Sequence, residues 1–439
     1  MQKKLIAAAV AGLIAVPALA QTNVTISGRL AAGWEAYELS GCHATNSCRN
    51  ESRVSDQSSR IIFNVNEDLG GGLSAWGQVD YRGALDSGAL SAGGNSGMGL
   101  AHKSWGKFTI GRWDVHYGEF GAIESNRAGS LQTNLGAGLM SQIGVGMGGV
   151  AAMKATVGNG TRTPNLLMWD SPNWNGFTAR LAYSAAASDF IYAHPSGAIT
   201  AAGPSANEGT GRHAKGMGNG GSGDAWTGAL RYNNGPWTAG LSHWSSDSED
   251  GRTGFVLVGA AANPATGAIT GAAALAISSV DLRGTRAWVG YTFNMGLKVG
   301  LGWDRSRMSV SVNGVPGSLD ARRHAWMIPV SYSFGPHTIY GKYARAGSMS
   351  GSMIAPGTGG DHKATAWSLG YDYAFSKRTS VGIFYTKLSN DSNAAAKAGT
   401  TGVGNGGTYE FFAMGGNGAT GTRTGEDVRQ WYIGMAHNF

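Results

Sequence analysis

Segments of period-two alternation recur along the whole chain, and the connections between them alternate strictly between short and long. In the first segment Val24, Ile26, Leu30, Ala32 and Trp34 share one face, while Thr25, Ser27, Arg29 and Glu35 share the other. Leu73, Ala75, Val79 and Tyr81 oppose Ser74, Gln78, Asp80 and Arg82 in the same way; Phe177 to Tyr183, Leu297 to Trp303 and Trp367 to Tyr373 repeat the pattern. Successive side chains of a strand point to opposite faces, so each segment reads as a strand with one apolar and one charged face. Seven connections are tight: Asn66 to Gly72, Trp105 to Lys107, Ser171 to Gly176, Asn233 to Pro236, Asn294 to Gly296, Gly335 to His337 and Ala374 to Thr379. Eight are long: Leu39 to Ser59, Gly83 to Gly97, Trp113 to Pro164, Ala185 to Gly223, Ser245 to Gly284, Ser306 to Arg322, Ala346 to Lys363 and Ser389 to Asp427. Seven turns join fourteen strands, and a first and a last make sixteen, an even number that lets the sheet close without an edge.

A soluble sandwich also alternates, but its apolar faces meet in one core and its loops are normally short. Beyond residue 20 no stretch approaches about 18 apolar residues, so a membrane-bound form of this chain must cross as a barrel instead of as helices. Composition agrees. The 72 glycines among 439 residues disfavour long helices, since each interior Gly costs about 1 kcal/mol relative to Ala. They follow no triplet period, and 14 Trp with 15 Tyr exclude a disordered chain. The predicted class is therefore an all-β, 16-stranded antiparallel transmembrane β-barrel with long outer loops and short periplasmic turns.

Residues 1–20 read as a secretory signal peptide: Lys3 and Lys4, an apolar run from Leu5 to Val16, then Pro17 and Ala18-Leu19-Ala20 at the cleavage site. Residues 21–439 are expected to form one barrel. Trp34, Tyr37, Tyr81, Trp105, Phe108, Trp226, Trp237, Phe293, Trp303 and Phe334 fall near strand ends, as two interfacial girdles require. Cys42 and Cys48, six positions apart in an exported chain, predict a local disulfide.

Catalytic constellations are missing. The ten His form no H-E-x-x-H, and there is no paired CxxC, G-x-S-x-G or P-loop. Gly216-Met217-Gly218-Asn219-Gly220-Gly221 matches a dinucleotide fingerprint only superficially, since it follows no strand and opens no helix. No enzyme, cofactor or metal is expected. Basic charge is spread over the strands instead of gathered in a patch, which argues against nucleic acid.

Several motifs carry a resemblance. Val24-Thr25-Ile26-Ser27-Gly28, Ser59-Arg60-Ile61-Ile62-Phe63, Glu67-Asp68-Leu69-Gly70-Gly71-Gly72-Leu73, Trp105-Gly106-Lys107-Phe108-Thr109-Ile110-Gly111-Arg112, Ser376-Lys377-Arg378-Thr379 and His437-Asn438-Phe439 resemble the general porins of β-proteobacteria. That resemblance implies an outer-membrane homotrimer passing ions and small hydrophilic solutes, with a third loop folded inward as a constriction. Small residues such as Ala31, Ala32 and Gly33 are the expected trimer contacts. Within Trp113 to Asn134 the loop carries Asp114, Glu119, Glu124 and Arg127, which the resemblance sets opposite a wall of Arg60, Lys103 and Arg112. Strict alternation puts Arg112 with Phe108 and Ile110, so either Gly111 hosts a bulge or the strand has ended; the family pattern favours a pore-directed Arg. Phe439 resembles the terminal signal read by the barrel-assembly machinery, and equally closes the lipid face of the last strand. Contacts with phospholipid and lipopolysaccharide follow from the same location.

On the inward face Arg29, Arg60, Arg82, Arg180, Arg231, Arg286, Lys298 and Lys342 oppose Glu35, Asp80, Asp304 and Asp372. An Arg facing lipid near the midplane would cost about 2 to 4 kcal/mol, which fixes this orientation. The excess of cations predicts a modest anion preference. Two other readings compete: a substrate-specific channel, marked by inward rings such as Trp76 and Phe384, and a surface adhesin or receptor that uses the long loops.

Overall fold

The first strand, Thr22–Ser40, finds its second partner at the far end of the chain: it pairs with Asp427–Asn438 in unbroken antiparallel register from Arg29 opposite Asn438 to Ser40 opposite Asp427. Between them the wall is built from Asn50–Asp56 with Ser59–Gly70 as the second strand, Leu73–Gly83, Leu90–Ser91 with Ser96–His102 as the fourth, Gly106–Trp113, Thr163–Asp170, Phe177–Ala187 and Gly223–Asn234. Trp237–Ser248, Leu275–Thr292, Leu297–Val312, Ser318–Phe334, His337–Ala346, Ala364–Ala374 and Thr379–Asn390 complete sixteen antiparallel strands in a closed barrel. The computed structural model describes residues 22–40, 50–124, 126–129, 139–140, 143–144, 154–155, 163–187, 223–248, 256–257, 275–312, 316–352, 363–390 and 427–439. The signal segment, Cys42 and Cys48 lie outside the described residues.

Burial is inverted relative to a water-soluble protein. Val24, Ile26, Met98, Leu181, Leu369 and Met435 are all more than half exposed, whereas Glu35, Asp80, Asp304 and Arg286 are buried inside. Only an apolar solvent outside makes that distribution favourable. Near the short turns the rings gather into a girdle, with centroid separations of 4.6 Å for Phe177 and Tyr232 and 4.7 Å for Trp237 and Tyr291. Tyr37 does not belong to a girdle. It shares the inward parity of Glu35, to which its hydroxyl donates a 2.5 Å hydrogen bond.

All seven expected turns are present at one end of the barrel. Two of them use the same device: Gly235 (φ 57°) and Gly335 (φ 56°) open two-residue Gly-Pro loops, supplying the positive φ that a tight hairpin of this twist needs. At the other end the strands run further than the apolar pattern predicts. The sixth long connection, expected from Ser306 to Arg322, shrinks to residues 313–317 because Leu297–Val312 and Ser318–Phe334 pair as far as Ser311 opposite Ser318. Arg305 and Arg307 on the outer face mark where lipid ends, but hydrogen bonding continues into water above it.

The seam between first and last strands depends on a missing side chain. Gly28 exchanges two backbone hydrogen bonds with Phe439, of 3.0 and 3.1 Å, and a Cβ at Gly28 would stand 2.6 Å from the Phe439 ring. The small residues expected to face neighbouring subunits divide differently. Ala31 points inward, buried against Ala128 and Ala436, and Gly33 lies beneath the Tyr432 ring; only Ala32 has the outward parity of Leu30 and Trp34. Gly33→Val should therefore lower the temperature at which the barrel unfolds, by forcing a methyl into Tyr432, whereas Ala32→Val should leave it unchanged. Heat-modifiable gel migration reads both; equal shifts would refute the inward placement of Gly33.

Candidate functional site

Past Trp113 the chain turns into the barrel, and residues 114–129 run along its inner wall. A 3-10 helix, Tyr117–Ala122, forms the middle of this segment. Its apolar side chains Phe120 and Ile123 are almost fully buried against the wall. The wall makes room for them with glycines: a Cβ at Gly290 or Gly300 would stand 2.9 and 2.8 Å from Ile123, and one at Gly302 would stand 3.1 Å from Phe120. Farther along the same connection Leu139 and Met140 are buried in a cluster with Ala325, Ala344, Ala346, Ala364 and Ala366, and Arg323 donates to the Leu139 carbonyl at 2.5 Å.

Polar anchors follow the segment from one strand to the next. Arg180 donates to the Asp114 carbonyl at 3.1 Å while holding Asp170 through two bonds of 2.6 and 3.0 Å. His116 shares a 2.7 Å hydrogen bond with the Ser242 hydroxyl through Nδ1. Arg286, over the Phe120 ring at 4.8 Å, donates to the His116 carbonyl and pairs with Asp304 at 3.0 Å. Arg231 grips both carboxylate oxygens of Glu119. Lys298 donates to the Ala122 carbonyl at 2.9 Å, and Lys342 pairs with Glu124 at 2.7 Å. Finally the Arg127 backbone N–H donates to Asp372 at 2.9 Å, and Arg29 donates to the Arg127 carbonyl at 2.7 Å.

The acids of the segment thus face the wall behind them. An arrangement of Glu119 and Glu124 across the lumen from Arg60 and Arg112 is not what forms, because a nearly buried carboxylate needs a cation at contact distance and Arg231 and Lys342 supply it. From the segment's last anchor a cross-strand row runs along the wall: Arg29, which holds the Arg127 carbonyl, stands opposite Arg60, and Arg60 opposite Arg82. Asp80 pairs with Arg82 at 2.8 Å. Lys103 is not near this row. It is exposed in the turn at residues 103–105, at the end of the fifth strand remote from the segment. Arg112, half-buried, stands opposite Ser96 and next to Gly111 (φ 147°). The irregularity expected there falls on the neighbouring sixth strand, whose register slips between Thr163 and Leu166.

Arg29 and Lys298 donate to carbonyls of the segment, and Lys107 lies over the Trp76 ring. Arg286, Asp304, Asp372, Lys298 and Lys342 were legible as inward charges, but not as anchors. His116 carried no signal in the sequence at all.

A family model described as Gram-negative porin matches residues 7–394. An outer membrane porin protein of Bordetella pertussis is 26% identical over 418 residues, covering 89% of this chain and 95% of that protein. Among solved structures, the anion-selective porin from Comamonas acidovorans superposes with a TM-score of 0.58 at 18% identity, over 95% of this chain and 100% of that one. The trimer form of OmpT from Vibrio cholerae gives a TM-score of 0.56 at 14% identity, over 95% and 99%.

Burial, reinforced by Arg286 and then His243, holds the His116 imidazole well below the usual histidine range. The seated segment therefore refuses a proton that the released segment accepts. Its stability is complete above about pH 6.5 and falls as the pH drops below that value. Hydrogen exchange at residues 117–122 should be faster at pH 5 than at pH 8, and His116→Gln should flatten the difference. Glu119→Gln should loosen the same residues at both pH values, since breaking a buried pair costs about 3 kcal/mol. Unchanged protection in Glu119→Gln would show that Phe120 and Ile123 hold the segment alone.

Proposed function

The chain belongs to the Gram-negative porin family and is an outer-membrane channel, and from that premise we propose that it passes small hydrophilic solutes with a preference for anions. The observation that carries this reading is the row Arg29, Arg60, Arg82 on three neighbouring strands, facing a lumen whose segment acids are already matched by Arg231 and Lys342. Asp80 offsets one member of the row. Cations confined beside a water path raise the local anion concentration, and low-dielectric walls strengthen the effect. Asp114, Glu119, Glu124 and Arg127 set the width of the path, with Arg60, Arg82, Arg112, Arg180 and Arg231 lining or buttressing it. The fold is shared with the anion-selective porin of Comamonas acidovorans, which supports the same sign.

The reading extends to assembly. Three copies associate, as in the trimer form of the Vibrio cholerae protein with this fold. Export uses the 1–20 signal, and the assembly machinery reads the strand that ends in Phe439, after which the girdles sit against phospholipid and lipopolysaccharide.

Arg29→Ser with Arg60→Ser should move the reversal potential in a salt gradient toward cations. The shift should shrink as ionic strength approaches 1 M, where the screening length is about 3 Å. Planar-bilayer recordings decide the matter: a cation-selective native channel, or a double variant with an unmoved reversal potential, would overturn the assignment of this row.

A further inference from the structure

The inner wall of the third to fifth strands holds a group that the anchoring of the segment does not use. Trp76 lies on the inward face of the third strand with Gln78 and Asp80, opposite lipid-exposed Val79. Its indole N–H donates to the Phe108 carbonyl at 3.1 Å, which ties the ring to the wall two strands away. The fourth strand permits this crossing because Gly99 stands opposite Trp76 and Gly97 opposite Gly111, so that strand puts no side chain beneath the ring at these two positions. Trp113 meets Trp76 edge to face, with centroids 5.7 Å apart and planes at 84°. Lys107 reaches up from the turn end of the fifth strand, and its Nζ lies 3.4 Å from the Trp76 centroid and 5.5 Å from that of Trp113.

This lysine is placed unusually. Asp170 stands opposite it in register, but that carboxylate is held by two bonds from Arg180 and lies 3.8 Å from Arg231. Among described residues the Lys107 ammonium has rings as its contacts and makes neither a hydrogen bond nor an ion pair. A ring face attracts an ammonium but accepts no conventional hydrogen bond, so the N–H groups not turned into the ring remain available to a solute. Around them Lys107, Arg180 and Arg231 outnumber Asp170 and Glu119.

We propose that Trp76, Lys107 and Trp113 form a station for aromatic carboxylates inside the lumen, a reading that rests on the channel function above. The ammonium supplies donors to the carboxylate, and the two indoles supply apolar area for the arene the carboxylate carries. A plain carboxylate uses only the first contact. An aromatic cation is repelled by the same ammonium. The station thus adds discrimination by solute chemistry to a path that otherwise discriminates by charge and size.

The test uses the purified protein in planar bilayers at neutral pH, with benzoate, acetate or benzylammonium added to a chloride bath. Benzoate should reduce chloride current at concentrations about tenfold below those of acetate, as expected for one added ring contact, and benzylammonium should have no effect. Lys107→Gln should weaken benzoate and acetate together, since both lose the ammonium. Trp76→Leu is the second variant and should weaken benzoate several-fold while leaving acetate unchanged; heat-modifiable migration confirms that each variant is folded. Benzoate and acetate acting alike on the native channel, or Lys107→Gln retaining the benzoate effect, would overturn the station and leave the channel reading intact. A native protein that passes no current would overturn both.

Discussion

A sheet that crosses hydrocarbon cannot leave an edge open, because no water is present to satisfy the row of N–H and C=O groups it would expose. The pairing of Thr22–Ser40 with Asp427–Asn438 meets that demand, and the Gly28 to Phe439 exchange carries it to the last residue. Closure then dictates parity. Once every strand is paired on both sides, half of its side chains face lipid and half face the enclosed space, and charge has only one place to go. The inward set of Arg29, Arg60, Arg82, Arg286 and their acids follows from hydrogen bonding at the seam before any question of transport arises.

An enclosed space sixteen strands around is too wide for wall side chains to fill, and the described start of the third long connection lies inside it. The segment brings its own backbone polar groups into the lumen, and these need partners as strictly as the strands do. Arg180, Arg286, Lys298 and Arg29 give hydrogen bonds to its carbonyls, and Asp372 accepts them from its amides. Packing supplies the register that these long side chains alone would not, since Ile123 fits only where Gly290 and Gly300 lack a Cβ. Ionic contacts orient the segment, and the glycine floor fixes how deeply it seats.

Strand number, turn positions and parity were legible in the sequence because each depends on residues a few positions apart. The girdle place assigned to Tyr37 ignored that same parity, which Glu35 two positions earlier already set. The long connections were legible only as gaps in an apolar pattern, so the pairing of residues 307–311 with 318–322 above the membrane was invisible; outward charge there marks the end of lipid, not of the sheet. Least legible was the site. Glu119 meets Arg231 across 112 positions, and Arg127 meets Asp372 across 245. Nothing local distinguishes the glycines that cradle Ile123 from those that merely permit a strand.

The segment also makes the lumen unequal around its circumference. From the seventh strand round to the last, the inner wall becomes protein interior: Phe120 against Trp288, Met140 among alanines, Ala128 against Ala31 and Ala436. Acids on that side are buried with partners and act at short range. On the arc from the first strand to the fifth stand Arg60, Arg82 and Lys107, with Asp80 paired to Arg82, Glu35 paired to Arg53 and Asp56 buried in the wall. A charge influences a passing solute in proportion to the water path it borders, so a small excess of cations on this arc outweighs a larger number of matched pairs behind the segment. On the proposed reading, selectivity is set by where the loop leaves the wall bare, and the total count of inward charges is a poor guide to it.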